Sequence, residues 1–515
     1  MAPTERCDMI DQRDRDESAE PTEANDPTDS TEQALPIDPI ERNEPTDPIE
    51  STESLDAIES TEPSDRIDHL EAGTDVFSHT AARGAPVTTV GTLAGMAEAA
   101  PQSAGRVLVM KFGGTSVADA DKIRRVAERL VAAQTAGRRV VGVVSAMGQT
   151  TDQLGALARD VSPHPHPREM DMLLSTGERI TAALCAMAIN DLGRHAVSLT
   201  GSQAGIVTDT VHTKAKILEI RPRRISEALD RDEIVLVAGF QGVSTAYDVT
   251  TLGRGGSDTT AVALAAAHDG DCEIYTDVAG VFSADPRIVP HARKLGAVSP
   301  LEMLEMAGSG ARVLQLRAVE FARNHGVPLH VRSTFTDAEG TWIREDTGME
   351  APIISGITHT TDEAYVTLTD VPDKPGTAAS IFNAVAAVHI NVDTIIQNAV
   401  THGDADVTFS VPLDDLPLMT NTIEGLCHDL GLHWRVDDTA AKVSLIGAGM
   451  KSHPGVAAKM FQVLAELGIN VRMIATSPIK VSCVVSRDRV AEAVSALHEA
   501  FEAELTEADG SEADA

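Results

Sequence analysis

Two stretches in the last third of this chain are copies of one another. "VTLTDVPDKPGTAASIFNAVAAVHINVDTI" and "VSLIGAGMKSHPGVAAKMFQVLAELGINVRMI" align Pro375 with Pro454, Gly376 with Gly455, Phe382 with Phe461 and Asn391 with Asn470, always at an offset of 79 residues. Chance does not keep that register, so a unit has been duplicated. Each copy reads as a strand, a Pro-Gly turn, a helix and a second strand starting at "IN". A unit of this size buries too little apolar surface to stand alone, so the copies are expected to pair. A repeated small module suggests sensing or assembly.

Upstream the pattern is different. From Arg106, strand signals in "RVLVMKF", "RVVGVVSAM", "AVSLTG", "EIVLVAGF", "CEIYTD" and "VPLHVRST" are separated by helical stretches such as "VADADKIRRVAERLVAAQ" and "RITAALCAMAINDLG". Such alternation predicts an α/β domain, a largely parallel open sheet sandwiched by helices, with ligands beyond the carboxyl ends of its strands. The two copies then follow as small α+β domains. Residues 1–105 stand apart: 25 acidic residues face six Arg and no Lys there, in recycled Pro-, Ser- and Thr-rich words. Such a composition cannot offset its ordering entropy, which predicts a disordered acidic extension, either a solvated tail or a functional one. Met96 and Met110 leave the true start open. The expected domains are therefore 1–105, 106–340, 355–435 and 440–505.

Charge and composition exclude some classes of function. A net charge of -36 without Lys/Arg clusters argues against nucleic-acid binding. The longest apolar runs, such as "VVGVVSAM", are strand-length, which argues against a membrane span. No signal-peptide pattern opens the chain. Five scattered cysteines, Cys7, Cys185, Cys272, Cys427 and Cys483, have no metal-type spacing and suggest a reducing compartment, with the cytoplasm expected.

The chemistry-bearing motifs fall between strands and helices. In "VLVMKFGGTSV", Lys111 ends a buried strand and Gly113 and Gly114 would let backbone N–H groups approach an anion, a phosphate cradle; a tight turn beside a surface lysine is the alternative. No Walker loop and no protein-kinase signature is present. "TLGRGGSDTTAVALAAA" sets Arg254 and Asp258 around two glycines and Ser257 at a helix start, a ready site for a small anion. In "STGERI", Glu178 could bind an ammonium or simply favour the helix dipole. "YTDVAGVFSADPRIV" offers Thr276, Asp277, Asp285 and Arg287 for a nucleotide and its metal, or marks a turn. His164 and His166 in "SPHPHP" read as a proline-rich loop rather than a metal site.

Together, KFGGTSV, "SAMGQTTD", "STGERI", "GFQG", "GRGGSDTTA", "YTDVAGVFSADPR" and "GARVLQLRAVEFA" resemble the aspartokinases of the amino acid kinase family, and both C-terminal copies resemble paired ACT domains. The resemblance runs from Arg106 to about Phe501. It implies ATP-dependent phosphorylation of the β-carboxylate of L-aspartate, the first step toward lysine, threonine and methionine, with Mg2+. On it, Lys111 and Asp258 are the catalytic candidates. Lys111, Gly113, Gly114, Ser145, Thr276, Asp277, Phe282, Asp285, Arg287 and Arg312 would bind ATP, and Thr151, Glu178, Arg254 and Ser257 would bind aspartate. Two departures stand out: Arg312 replaces a frequent Lys, and Ala279 replaces an acid. The metal ligands are not identified by the pattern.

For the paired modules the resemblance implies lysine and/or threonine as effectors. Asp373, Lys374, Pro375, Gly376, Thr377, Asn391, Val392 and Gln397 are candidates in the first copy, and His453, Pro454, Gly455 and Asn470 in the second; turn and packing chemistry is their alternative reading. It also implies a homo-oligomer, and Met349 is suitably placed to start a separate regulatory subunit. A catalytically silent amino-acid sensor and a related carboxylate kinase are the competing functions.

Overall fold

The computed structural model describes residues 105–345, 353–399, 404–451 and 453–506. The expected disordered extension, except Gly105, and the internal start at Met349 lie outside these residues.

The alternating segments form one eight-stranded sheet. Across it the strands run Ala297–Val298, Thr341–Ile343, Leu329–Ser333, Asp271–Thr276, Val107–Phe112, Arg139–Val144, Ile234–Ala238 and Ala196–Leu199. All neighbours are parallel except Leu329–Ser333 with Thr341–Ile343. The central strands are continuous apolar runs because helices cover both faces. Within "VLVMKF" the period of two divides the side chains: Leu108, Met110 and Phe112 join Val126, Leu130 and Ile189 in one core, while Val107 and Val109 join Ala261, Val262 and Leu264 in the other. Lys111 shares the second face, which directs it toward the helix Gly256–Ala267. The chain first steps from Val107–Phe112 to Arg139–Val144 and later returns on the other side with Asp271–Thr276. That reversal is a switch point, where open α/β sheets bind ligands.

A second small sheet, Ile217–Ile220, Ile206–Thr208, Gln241–Ser244 and Val249–Thr251, was not signalled by the sequence, since these strands are only three or four residues long, too short to show a period. The segment Pro167–Asp191 is longer than the strand-length apolar runs led us to expect, being helical and apolar enough over 25 residues to cross a membrane by composition. It also carries the buried acids Asp171 and Glu178 and packs on the sheet and on the helix Ala120–Thr135, as a core helix does.

Both copies form four-stranded antiparallel sheets with helices on them. The first is ordered Ile395–Ala399, Asp404–Pro412, Glu363–Pro372, His433–Asp437, and the second Met473–Ser477, Lys480–Ser486, Ala440–Ile446, Gly356–Thr360. The orders match, except that the outer position filled by His433–Asp437 in the first sheet is filled in the second by a strand preceding both copies. The first module is thus an insertion within the second. Gly376 and Gly455 repeat one geometry, φ 99° and 110°, at the N-caps of the helices Thr377–Ala387 and Val456–Glu466. The second strands do not start at "IN" but at Ile395 and Met473. Ile390 and Ile469 turn inward to fill the cores.

The modules are clasped by Lys442, buried on the strand Ala440–Ile446, whose ammonium lies 2.8 Å from Glu363 and 2.7 Å from Asp393. Removing one partner of a buried ion pair leaves uncompensated charge, at a cost of about 3 kcal/mol or more. Because Asp393 is more than half exposed, Lys442→Met should lower the unfolding free energy of the small modules, extrapolated from urea titration, by less than that, about 1–3 kcal/mol; an unchanged value would show that the clasp contributes nothing.

Candidate active site

The helix Gly256–Ala267 is buried along Gly256–Ala265, and its N-terminal turn, whose first N–H goes from Gly256 to the Gly253 carbonyl at 3.0 Å, lies at the sheet's carboxyl edge. Its start depends on Gly255, at φ 70°; a Cβ there would also overlap the Gln315 side chain, at 1.9 Å from Cγ. Asp258 in the first turn, nearly buried, meets Lys111 with 2.5 Å between Nζ and Oδ1. The ammonium lies at ion-pair distance but off the hydrogen-bonding direction, so that oxygen accepts no hydrogen bond. Lys111 is held by charge yet keeps donors for a second anion. Ser257 is buried beside Asp258.

The loops after neighbouring strands close around this pair. Gly113 donates its N–H to the Tyr275 carbonyl (3.4 Å), Ser145 to Phe112 (3.1 Å) and Gly148 to Gly114 (3.0 Å). Next to Ser145, the Ala146 N–H donates to Glu178 Oε1 at 3.2 Å. Glu178 is buried and its Oε2 has no partner. Burial is the largest influence on it and raises its pKa to about 7, against backbone hydrogen bonds that lower it. A buried carboxylate with a vacant oxygen is suited to an ammonium group. Thr151, half-buried, lies in the first turn of the helix Thr150–Val161 that follows this loop.

Other candidates are placed farther out. Thr276 ends its strand and donates to Asp277 at 3.1 Å. Phe282 bridges to Lys294, and Asp285 accepts from Arg287 at 2.7 Å, which leads the influences holding its carboxyl low. Arg312 pairs with Asp362 at 2.5 Å, and Arg254 with Asp414 at 2.7 Å. Arg254 is 85% exposed and so reaches outward, not into the cleft. The proposed effector residues Asp373, Lys374, Pro375, Gly376, Asn391, Gln397, His453, Pro454, Gly455 and Asn470 are exposed, with Thr377 and Val392 half-buried. His166 caps the helix Pro167–Leu174, accepting from the Arg168 N–H at 3.3 Å.

Sequence reasoning passed over Phe240. This bulky residue sits at φ 69°, a costly conformation, and donates its N–H to Thr260 Oγ1 at 3.2 Å, bracing the buried helix. Its signal was the short "GFQG" between two strands. Lys111, the helix start and Glu178 provide for two anions and an ammonium. Among the described residues no three His, Cys, Asp or Glu side chains converge on a metal. A Mg2+ ion would thus rest mainly on phosphate oxygens and water, with one or two carboxylates, as this hard ion commonly does.

Residues 106–333 match the amino acid kinase family, and residues 365–428 and 443–501 each match an ACT domain. The chain is 56% identical over 403 residues to the aspartokinase of Mycolicibacterium smegmatis, covering 77% of this chain and 96% of that protein. It is 50% identical over 406 residues to the aspartokinase of Corynebacterium glutamicum, with the same coverage. The crystal structure of E. coli aspartokinase III in complex with aspartate and ADP matches with a TM-score of 0.69 at 25% identity, over 77% of this chain and 100% of that one.

Glu178 gives the site a pH signature. Its pKa rises from 4.5 unfolded to about 7 folded, so the folded, ligand-free protein keeps a proton that the unfolded chain releases between those values. Stability falls as pH rises through that window, by at most about 3 kcal/mol. Glu178→Gln should match the parent in urea unfolding near pH 5 and exceed it at pH 8. A difference that does not vary with pH would refute the assignment.

Proposed function

The chain belongs to the aspartokinases of the amino acid kinase family, and from that premise we propose that it phosphorylates the β-carboxylate of L-aspartate with ATP, giving 4-phospho-L-aspartate and ADP. In this reading a carboxylate oxygen attacks the γ-phosphorus with its own lone pair, and the bond from phosphorus to the bridging oxygen breaks, its electrons leaving with ADP. A carboxylate of pKa about 4 is already ionised, so no general base is needed. The barrier lies in bringing two anions together in line.

Lys111, fixed by Asp258, supplies charge between them, and the N-terminal amides of Gly256–Ala267 add partial positive charge. Glu178 receives the substrate ammonium and Ser257 and Thr151 the remaining polar atoms, while Arg254, held outward by Asp414 in this structure, takes a carboxylate only after it leaves that partner and swings into the cleft. Gly113, Gly114, Ser145, Thr276, Asp277, Phe282, Asp285, Arg287 and Arg312 form the nucleotide side. Mg2+, when bound, adds neutralisation of the phosphates. The observation that carries the reading is the pair of groups at the sheet's carboxyl edge: Lys111, half-buried on the strand Val107–Phe112 with donors to spare, and Glu178, buried on the helix Thr176–Asp191 with a vacant oxygen.

Regulation would act through the paired modules. E. coli aspartokinase III has been crystallised with lysine and aspartate as a T-state and with aspartate and ADP as an R-state; we extend this to lysine or threonine binding here. Ile395 and Ile474 occupy equivalent positions, at the same offset of 79, on the edge strands Ile395–Ala399 and Met473–Ser477, and both are exposed. Exposed apolar edges favour pairing of modules between chains, with effectors at the junction. The first module also meets the kinase domain along a charged seam: Arg254 with Asp414, Lys214 with Asp415 at 2.9 Å, and Arg312 with Asp362. Asp414 thereby competes with the substrate carboxylate for Arg254.

Two experiments test these statements. In an ATP-dependent hydroxamate assay with L-aspartate, Lys111→Ala should lower kcat by about two to three orders of magnitude. Retained turnover would overturn its role. An exposed ion pair is worth about 1 kcal/mol at most, so Asp414→Asn should lower the KM for aspartate by up to about fivefold while kcat stays constant. A KM equal to the parent's would remove the seam from regulation.

A further inference from the structure

We propose that Asp171 is a positioning residue that fixes the Arg254 loop against the helix carrying Glu178, setting the spacing of the amino-acid subsite. This rests on the reading of Arg254 and Glu178 given above.

Asp171 is fully buried on the helix Pro167–Leu174. It precedes Glu178 by seven residues, two turns of the nearly continuous helix Pro167–Asp191, so the two acids share a face. Its carboxylate gathers donors from two other segments. Oδ1 accepts from Thr251 Oγ1 at 2.5 Å, both oxygens accept from the Thr213 N–H at 3.1 Å, and Oδ2 lies 2.7 Å from His212 Nδ1. Thr251 ends the strand Val249–Thr251, three residues before Arg254.

The segment around Thr213 presses on the same loop. Thr213 sits at φ 65°, unfavourable for a β-branched residue, and its N–H bond to Asp171 helps hold it there. A Cβ on Gly253 would stand 3.1 Å from the Thr213 carbonyl oxygen. Ala215 donates its N–H to the Thr251 carbonyl at 3.0 Å, and Arg317 bridges the carbonyls of Leu252 and Ala215 at 2.9 Å each. The loop is therefore gripped by Arg317 through its backbone, and by Asp171 through Thr251 and Thr213. Asp171 ties its end at Thr251 to the Glu178 helix, while Arg168 on that helix holds the far end of the strand through Asp248 at 2.8 Å, away from Arg254. An amide could not replace this carboxylate, because an N–H would then face one of the donors.

The test compares Asp171→Asn, Thr251→Val and Thr251→Ser in the full chain, measuring kcat, the KM for L-aspartate, the KM for ATP and Tm. Asp171→Asn and Thr251→Val should raise the KM for aspartate by about tenfold or more and leave that for ATP within about twofold, whereas Thr251→Ser, which keeps the hydroxyl, restores the parent value. The proposal is overturned if Thr251→Val leaves the aspartate KM unchanged, or if both KM values and Tm deteriorate together. Should Asp171→Asn not fold, the Thr251 pair decides alone. Arg254→Lys and Glu178→Gln run alongside: no effect of either on the aspartate KM discards the subsite reading itself, while an effect there with none in Thr251→Val discards only the role of Asp171.

Discussion

The contact between Lys111 and Asp258 is the constraint on which the rest of the molecule turns. Two charges are taken out of water, and such a pair persists only if its geometry is held from all sides. The sheet supplies one half: the pleat of Val107–Phe112 sends Lys111 to the same face as Val109, toward the buried helix. The helix supplies the other half, since Gly255 allows it to start where its first turn reaches the strand end. Lengthening the strand by one residue would turn the lysine to the opposite face.

Much of this could be read from the chain alone, for identifiable reasons. The six strands signalled from "RVLVMKF" to "VPLHVRST" are all present because each carries an apolar run or alternation and is separated from the next by helical sequence. The duplication was legible because four residues keep one spacing. By contrast, "QGVS" and "VTT" are too short to carry a period, and the contacts that seat their hairpin, Thr251 with Asp171 and Thr250 with Thr208, come from residues far off in sequence. Motif residues at adjoining strand ends, Lys111, Gly113, Ser145 and Asp258, could be grouped in advance because parallel strands deliver their loops to one edge. The partners of Arg254 and Arg312 could not, as Asp414 and Asp362 belong to a different module.

The two modules are joined to the kinase domain by different forces. The second shares an apolar core with the loop after Asp277: Ala284 and Val289 pack with Ile357, Leu445, Met460 and Phe501, and Ser283 Oγ lies 2.9 Å from His498 Nε2. Glu302 reinforces the joint, capping its own helix at Ser299 while accepting from Ser355 and from the Ala448 N–H. The first module offers mainly solvated ion pairs. Salt weakens such pairs and hardly affects an apolar core, so the two attachments respond to different conditions.

The interleaved order of the small sheets decides where the polypeptide tolerates being divided. A break before Gly356 leaves every strand of both modules on one fragment, with the outer strand Gly356–Thr360 still able to reach Ala440–Ile446. Translation begun at Met349 would yield such a fragment. A break just past that strand, between Thr360 and Glu363, strands the ribbon on the wrong piece and leaves a backbone ladder on Ala440–Ile446 without its mate.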